Sequence, residues 1–263
     1  MSTQDGAPYD WKAMDDFAAG IDGNRLPASR ALHGRNWVVR DGNGETALRF
    51  TDSRVAWRAG DAEGEDAYEA VEGAPGIFFV HRSFLDRPLV TEVLVADVAT
   101  RRTLTVTSRI AEEAEPGVPR VSQEFRPGVL DLGDGVAPAG EAPAPTRDLI
   151  GWRALYRYSP NHLYEHVYLS STRYAWQCLV GEQRGHGDVD LATAWRIADG
   201  RYVFTFREFR IPVATTWLYD LDAMRTTGMF FGIDKHGEVR SAPGGALITP
   251  LGRVEYPADG EPV

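Results

Sequence analysis

The sequence predicts an all-β protein: two tandem antiparallel up-and-down barrels, related by an internal duplication, behind one short N-terminal helix. Three observations predict it. From Gly34 onward, apolar, β-branched and aromatic residues recur with a period of two, in NWVVR, TALRF, VAWRA, GIFFVHRSF, VTEVLVADV and RTLTVTSRI. Turn signals such as Asp41-Gly42-Asn43-Gly44 and Glu72-Gly73-Ala74-Pro75-Gly76 separate these runs. The two halves also match each other in order. Arg54–Trp57 aligns with Arg173–Trp176 at an offset of 119, and Ile77–Phe84 with Tyr202–Phe209 at 125. Asp97, Arg102 and Thr103 align with Asp220, Arg225 and Thr226 at 123.

Each element follows from its residues. Asp10–Ala19 (DWKAMDDFAA) has the spacing of a short amphipathic helix, with Asp10 as cap and Gly20 as terminator. Residues 1–33 therefore form a helix and loop, and 34–110 a first barrel. Residues 111–146 are poor in aromatics and rich in Pro, Gly, Ala and acid, which predicts a linker with one short strand at Val121–Phe125. From 147 to 263 the alternation resumes in ALYRYS, YEHVYLS, RYAWQCLVG, DLATAWRIA, RYVFTFREF, ATTWLYDLD, GMFFGI and GEVRS, forming a second barrel. Leu221–Arg225 alone there has helical character. A closed barrel of about eight strands has room inside for one small ligand.

Composition narrows the function. The chain has 263 residues, 43% hydrophobic and 25% charged, with a net charge of −10. That charge argues against nucleic-acid and anionic-membrane partners, which need a basic footprint. The single cysteine, Cys178, allows no internal disulfide and no cysteine-based zinc site. The start, MSTQDGAPYDW, carries no basic-then-apolar leader, so the expected location is the cytoplasm. The expected partner is a small molecule, with no cofactor and no metal; a homodimer is left open.

Some patterns are set aside. His162-Leu163-Tyr164-Glu165-His166 spells H-x-x-E-H, but zinc chemistry with that spacing needs a helix. After Pro160-Asn161 the composition is that of a strand, where two histidines four apart stand roughly 13 Å from each other. Gly42–Ala47 lies between strands with no helix after it and reads as a hairpin turn rather than a dinucleotide loop. Cys178 sits in an apolar strand, as a small core residue does.

The chemistry-bearing candidates lie in the second barrel. Tyr202, Phe204, Phe206 and Glu208 share one strand face, an aromatic row ending in an acid. A carboxyl so desolvated has a raised pKa and suits acid/base work. Ser83 stands at its place in the aligned first half, so the scaffold does not require the acid. The competing expectation is a rim salt bridge to an arginine such as Arg207. Tyr156 and Tyr158 share a face and could hold a carboxylate or oxyanion, or simply serve as barrel wall. With no Tyr-x-Tyr in the first half, the second barrel, from about Arg147, is expected to hold the only functional pocket, lined also by Tyr168 and Trp176.

The blocks DLIGWRALYRYSPNHLYEHVYLSSTRYAWQCLVG, GHGDVDLATAWRIADGRYVFTFRE and DAMRTTGMFFGID resemble the MoaF family over nearly the whole chain. That resemblance implies two calycin, or lipocalin-like, barrels. The family's label of molybdenum cofactor biosynthesis meets no pterin- or nucleotide-binding motif here. LYRYSPNHLYEHVYLSS and ADGRYVFTFRE are also distantly similar to bacterial phenolic acid decarboxylases, calycin barrels in which a Tyr-x-Tyr pair, an arginine and a glutamate surround a hydroxycinnamic acid. The likeness implies catalytic roles for Tyr156, Tyr158 and Glu208. The arginine's place falls at about Trp176 or Gln177, so the reaction itself does not carry over. Two expectations follow: a cofactor-free lyase, isomerase or cyclase acting on a conjugated or aromatic molecule, or a non-catalytic ligand carrier or sensor.

Overall fold

The structure is a computed structural model that describes residues 11–260, 262 and 263. Its elements are α1 (Met14–Ala18), β1 (Asn36–Asp41), β2 (Gly44–Phe50), β3 (Arg54–Ala59), β4 (Ala62–Ala74), β5 (Ile77–Ser83), β6 (Val90–Asp97), β7 (Arg102–Ile110) and β8 (Val121–Asp131). After them come β9 (Ala144–Pro145), β10 (Trp152–Ser159), β11 (His162–Tyr168), β12 (Arg173–Val180), β13 (Gly187–Ala198), β14 (Arg201–Arg207), β15 (Val213–Asp220), β16 (Arg225–Ile233) and β17 (Val239–Arg253). Strands β1–β8 close one antiparallel barrel through the β1–β8 pair. Strands β10–β17 close the other through β10–β17 and β12–β13, with β9 added on β13. The fold class is the predicted one.

The region read as a linker supplies a full barrel strand. β8 is eleven residues long, pairs with β7 from Val121 to Val129, and reaches β1 through Val129, Leu130 and Asp131. Pro127 and Gly128 made it look like a loop. Pro127 lies beyond the β1 pairing, so its missing N–H costs no bond there. Gly128 is required, because a Cβ would come within 2.6 Å of the Arg40 carbonyl oxygen.

The helix is shorter than the pattern suggests. Ala13 occupies the N-cap position with no side-chain cap, and Asp10 lies outside the described residues. Gly20, in the left-handed region, ends the segment. Leu221–Met224 is a turn, held by Asp220 Oδ1, which accepts the N–H groups of Asp222 and Ala223.

Strand pairing corrects one alignment. Ile77 pairs with Asp97 across β5–β6, and Arg201 with Asp220 across β14–β15, so these strands superpose at an offset of 124. The one-residue slip matters because side chains alternate faces. Phe84, not Ser83, stands where Glu208 stands, and Arg82 corresponds to Phe206 rather than to Arg207. The β3–β12 alignment keeps its faces, with Trp57 on Trp176.

Alternation then builds separate cores. Trp37, Phe50, Phe78 and Leu94 fill the first barrel, and a dense aromatic set fills the second. Outward faces of β5–β7 meet those of β13–β16 through Ile77, Phe79, Val95, Trp195, Val203 and Leu218, which packs the barrels side by side. In the second barrel Gly228 lies under Trp217, where a Cβ would come within 2.4 Å of the indole.

Candidate active site in the C-terminal barrel

The inward row of β10 is Trp152, Ala154, Tyr156 and Tyr158; that of β11 is His162, Tyr164, His166 and Tyr168. β12 contributes Tyr174, Trp176 and Cys178, and β14 with the residue after it Tyr202, Phe204, Phe206 and Glu208. These rows are almost wholly aromatic and pack edge-to-face, as in Tyr174–Phe204 at 5.3 Å and Trp217–Phe230 at 5.2 Å between centroids. A small cavity of about 30 Å³ remains near one end. Tyr158, Tyr164, His166, Tyr174, Glu208 and Gln183 supply its polar atoms. Phe17 and Ile21, from α1 and the turn after it, close it from outside.

Glu208 is 6% exposed, and its carboxyl makes no hydrogen bond among the described residues. Burial, then the nearby charges of Asp190 and Asp188, raise its pKa well above the ordinary carboxylate range. Its backbone N–H donates to the Val213 carbonyl, which fixes the chain as it leaves β14. Asp190 accepts from the Trp176 indole N–H at 2.9 Å and the Phe209 amide at 3.2 Å. Burial still pushes Asp190 up to about 6. The phenols of Tyr158 and Tyr174 are held protonated by burial, and the Asp190 and Glu208 charges push Tyr174 up further. Burial lowers His166 to about 3, so at neutral pH it is an uncharged imidazole. Its ring stacks on Tyr156 at 4.1 Å, and its buried Nδ1 has no partner among the described residues.

The predicted residues divide by depth. Glu208, Tyr158, Trp176 and Phe206 line the cavity. Tyr156 and Tyr168 do not: their hydroxyls share a hydrogen bond of 2.5 Å, and Tyr168 continues to Tyr219 at 2.8 Å. This phenol chain lies deeper in the barrel, because residues two apart on a strand are roughly 7 Å apart along it. Phe204 packs against Tyr168 and Tyr174 as core. Tyr202 is at the far end of β14, donating to Asp148 Oδ2 at 3.1 Å. The salt bridge considered between Glu208 and Arg207 does not form; Arg207 points outward to Gln123 Oε1 and Thr193 Oγ1.

Sequence reasoning missed Tyr164, His166, Tyr174, Gln183, Phe230, Phe17 and Ile21. Alternation with Tyr164 and Tyr168 marks His166 as inward, but it was set aside with the H-x-x-E-H pattern. On β11 that pattern is indeed extended, and Glu165 faces away from the histidines, bonded to Arg153 and Gln177. Gln183 accepts from Tyr164 and lies in a loop with no periodicity to flag it. Among the described residues no group of three or more His, Cys, Asp or Glu could hold a metal ion. None of their helices is long and apolar enough to cross a membrane. The expectation of a single pocket meets a different distribution of space: the first barrel holds a cavity of about 310 Å³.

Residues 9–112 match the family model of the MoaF N-terminal domain, and 143–254 that of the MoaF C-terminal domain. A protein from Klebsiella aerogenes described as "Protein MoaF" is 33% identical over 229 residues, 81% of this chain and 79% of that one. A crystal structure described as a putative beta-lactamase from Burkholderia vietnamiensis is similar at 12% identity, with a TM-score of 0.34, over 39% of this chain and 95% of that one; it carries no argument.

Proposed function

The chain belongs to the MoaF family, and on that premise we propose that its C-terminal barrel is a cofactor-free acid/base site for a compact conjugated or aromatic molecule. Glu208 is the proton-transfer group. Tyr158, with Tyr174 beside it, donates hydrogen bonds to the polar end of the substrate, and Trp176 and Phe206 hold its flat body. Tyr156 acts through the Tyr156–Tyr168–Tyr219 chain, which orients the wall beneath. The reaction class is a lyase or isomerase step in which a proton is delivered to or taken from carbon.

One observation carries this reading: a carboxyl buried against an aromatic cavity, with no hydrogen-bond partner among the described residues. An unpaired buried carboxyl costs stability, and its persistence fits a group kept for chemistry. Burial raises the Glu208 pKa well above the ordinary carboxylate range, which suits the group to act as an acid. Since about 30 Å³ holds no more than a water or two, substrate entry requires Phe17 and Ile21 to move aside. The same closed mouth favours a second reading, a carrier that shuts over its ligand.

The test is an absorbance screen of the purified protein against hydroxycinnamic acids and related conjugated acids, with Glu208→Gln alongside. The expected result is turnover that falls ~10²–10⁴-fold in the variant while binding is kept. Turnover equal in both proteins removes Glu208 as the proton-transfer group. Binding without turnover in either favours the carrier.

A further inference from the structure

The N-terminal barrel has its own polar interior. Its cavity of about 310 Å³ is roughly ten times the other and at the low end of the range for small-molecule sites, about 300–1,000 Å³. Leu48, Leu94 and Phe84 form an apolar wall. The opposite wall is ionic. Arg82, 6% exposed, donates to Glu92 at 2.9 Å and Asp66 at 3.3 Å. Arg126 donates to Asp41 at 3.1 Å, Glu92 at 3.2 Å and the Thr107 hydroxyl at 3.0 Å.

Two donors are left over. Arg82 Nε and the Trp57 indole Nε1 are both buried and have no hydrogen-bond partner among the described residues. They come from β5 and β3, which flank β4, and both residues line the cavity. An unmet buried donor is expensive, so two at one cavity call for an acceptor that the protein does not supply.

The duplicated barrel shows what satisfies the same positions elsewhere. Trp57 corresponds to Trp176, and Asp66, which pairs with Val55, to Asp190, which pairs with Tyr174. In the C-terminal barrel Asp190 accepts the Trp176 indole N–H. In the N-terminal barrel Asp66 is taken by Arg82, and the Trp57 indole N–H is stranded. The equivalent of Phe206 is Arg82, and the equivalent of Glu208 is Phe84. The two cavities thus have inverted chemistry at matching places: an acid near aromatics in one, an arginine near an aromatic in the other.

Charge gives the sign of the missing acceptor. Four arginines and three acids line the cavity, in a chain whose net charge is −10. A purely structural network explains the ion pairs but not the space or the unmet donors, and buried ions seldom outdo an apolar filling in stability. We propose that the N-terminal barrel is a second, independent binding site for a small organic carboxylate. Its carboxylate oxygens accept from Arg82 Nε–H and Trp57 Nε1–H, and its apolar body lies against Leu48, Leu94 and Phe84.

Calorimetric titration of the full-length protein with benzoate tests this, with benzamide and benzylammonium as neutral and cationic counterparts of the same shape. Arg82→Lys keeps a charge for Asp66 and Glu92 but removes the Nε donor. Trp57→Phe removes only the indole N–H and part of the ring. The expected result is saturable benzoate binding, weakened about 10–100-fold by Arg82→Lys and about 2–10-fold by Trp57→Phe, as for charge-assisted and neutral hydrogen bonds. The proposal is overturned by absence of saturable binding, by equal affinity for benzamide or benzylammonium, or by indifference to both Arg82→Lys and Trp57→Phe.

Discussion

Replacing Glu208 by Gln should stabilise the protein, by an amount that grows with pH. Glu208 is buried, and its native pKa is raised, first by desolvation and then by Asp190 and Asp188. In the unfolded chain it titrates near 4.5. Below that value the group is protonated in both states, and wild type and variant should differ little. Above it the unfolded chain ionises while the native carboxyl does not, so the unfolded state gains. Wild type then loses about 1.4 kcal/mol per pH unit relative to Glu208→Gln. The loss continues until pH passes the raised native pKa, where the difference levels off. In a chain of this size that corresponds to roughly 3–5 °C of melting temperature per pH unit. Thermal melts of both proteins at half-unit steps from pH 4.5 to 8.5 measure it. Asp190→Asn removes one of the charges that raise Glu208, so in that background the difference should level off at lower pH. A difference that does not vary with pH, or a variant less stable at every pH, would refute the argument that Glu208 is desolvated and unpaired.

Other expectations concern different parts of the molecule. Burial lowers His81 to about 4 and His166 to about 3, so each stabilises above pH 6.5 and progressively loses that contribution as pH falls towards those values. His166→Gln should therefore flatten the acid limb of the stability–pH curve by about 1.4 kcal/mol per pH unit below 6.5, seen in chemical denaturation. Gly228→Ala forces a methyl against Trp217 and the Thr216 carbonyl, and should cost about 1–3 kcal/mol in the same assay. Phe17→Ala should enlarge the C-terminal cavity and raise the binding rate of hydroxycinnamates, measured by stopped-flow fluorescence; an unchanged rate would mean that α1 is not the barrier to entry.

Much of this architecture could be read from local pattern. Period-two alternation locates strands without knowledge of their partners, and Arg54–Trp57 against Arg173–Trp176 announced the repeat. What alternation cannot supply is register. An offset of 125 instead of 124 put Ser83 opposite Glu208 and hid the correspondence of Arg82 with Phe206. β8 was hidden because Pro127 and Gly128 mark loops unless the close approach of β1 is known. The aromatic row ending in Glu208 was legible because one strand carries it. Phe17 and Ile21 were not, because they meet the cavity across more than 130 residues of chain. Tyr156 and Tyr158 share a face, but depth along the barrel separates their surroundings, and depth is set by closure.

The placement of α1 has a consequence for biosynthesis. Phe17 and Ile21 leave the ribosome before any strand, yet their binding surface is completed only when β17 pairs with β10. Between those events the first barrel can close on its own strands, from Asn36 to Asp131. Its outer residues Ile77, Phe79 and Val95 then wait uncovered for β13–β16. The nascent chain therefore carries two orphaned apolar surfaces at once, a tethered plug and a half-interface, both resolved by the last strands to emerge. Premature termination before β17 should yield a chain that aggregates or engages chaperones, even though an entire barrel has already formed.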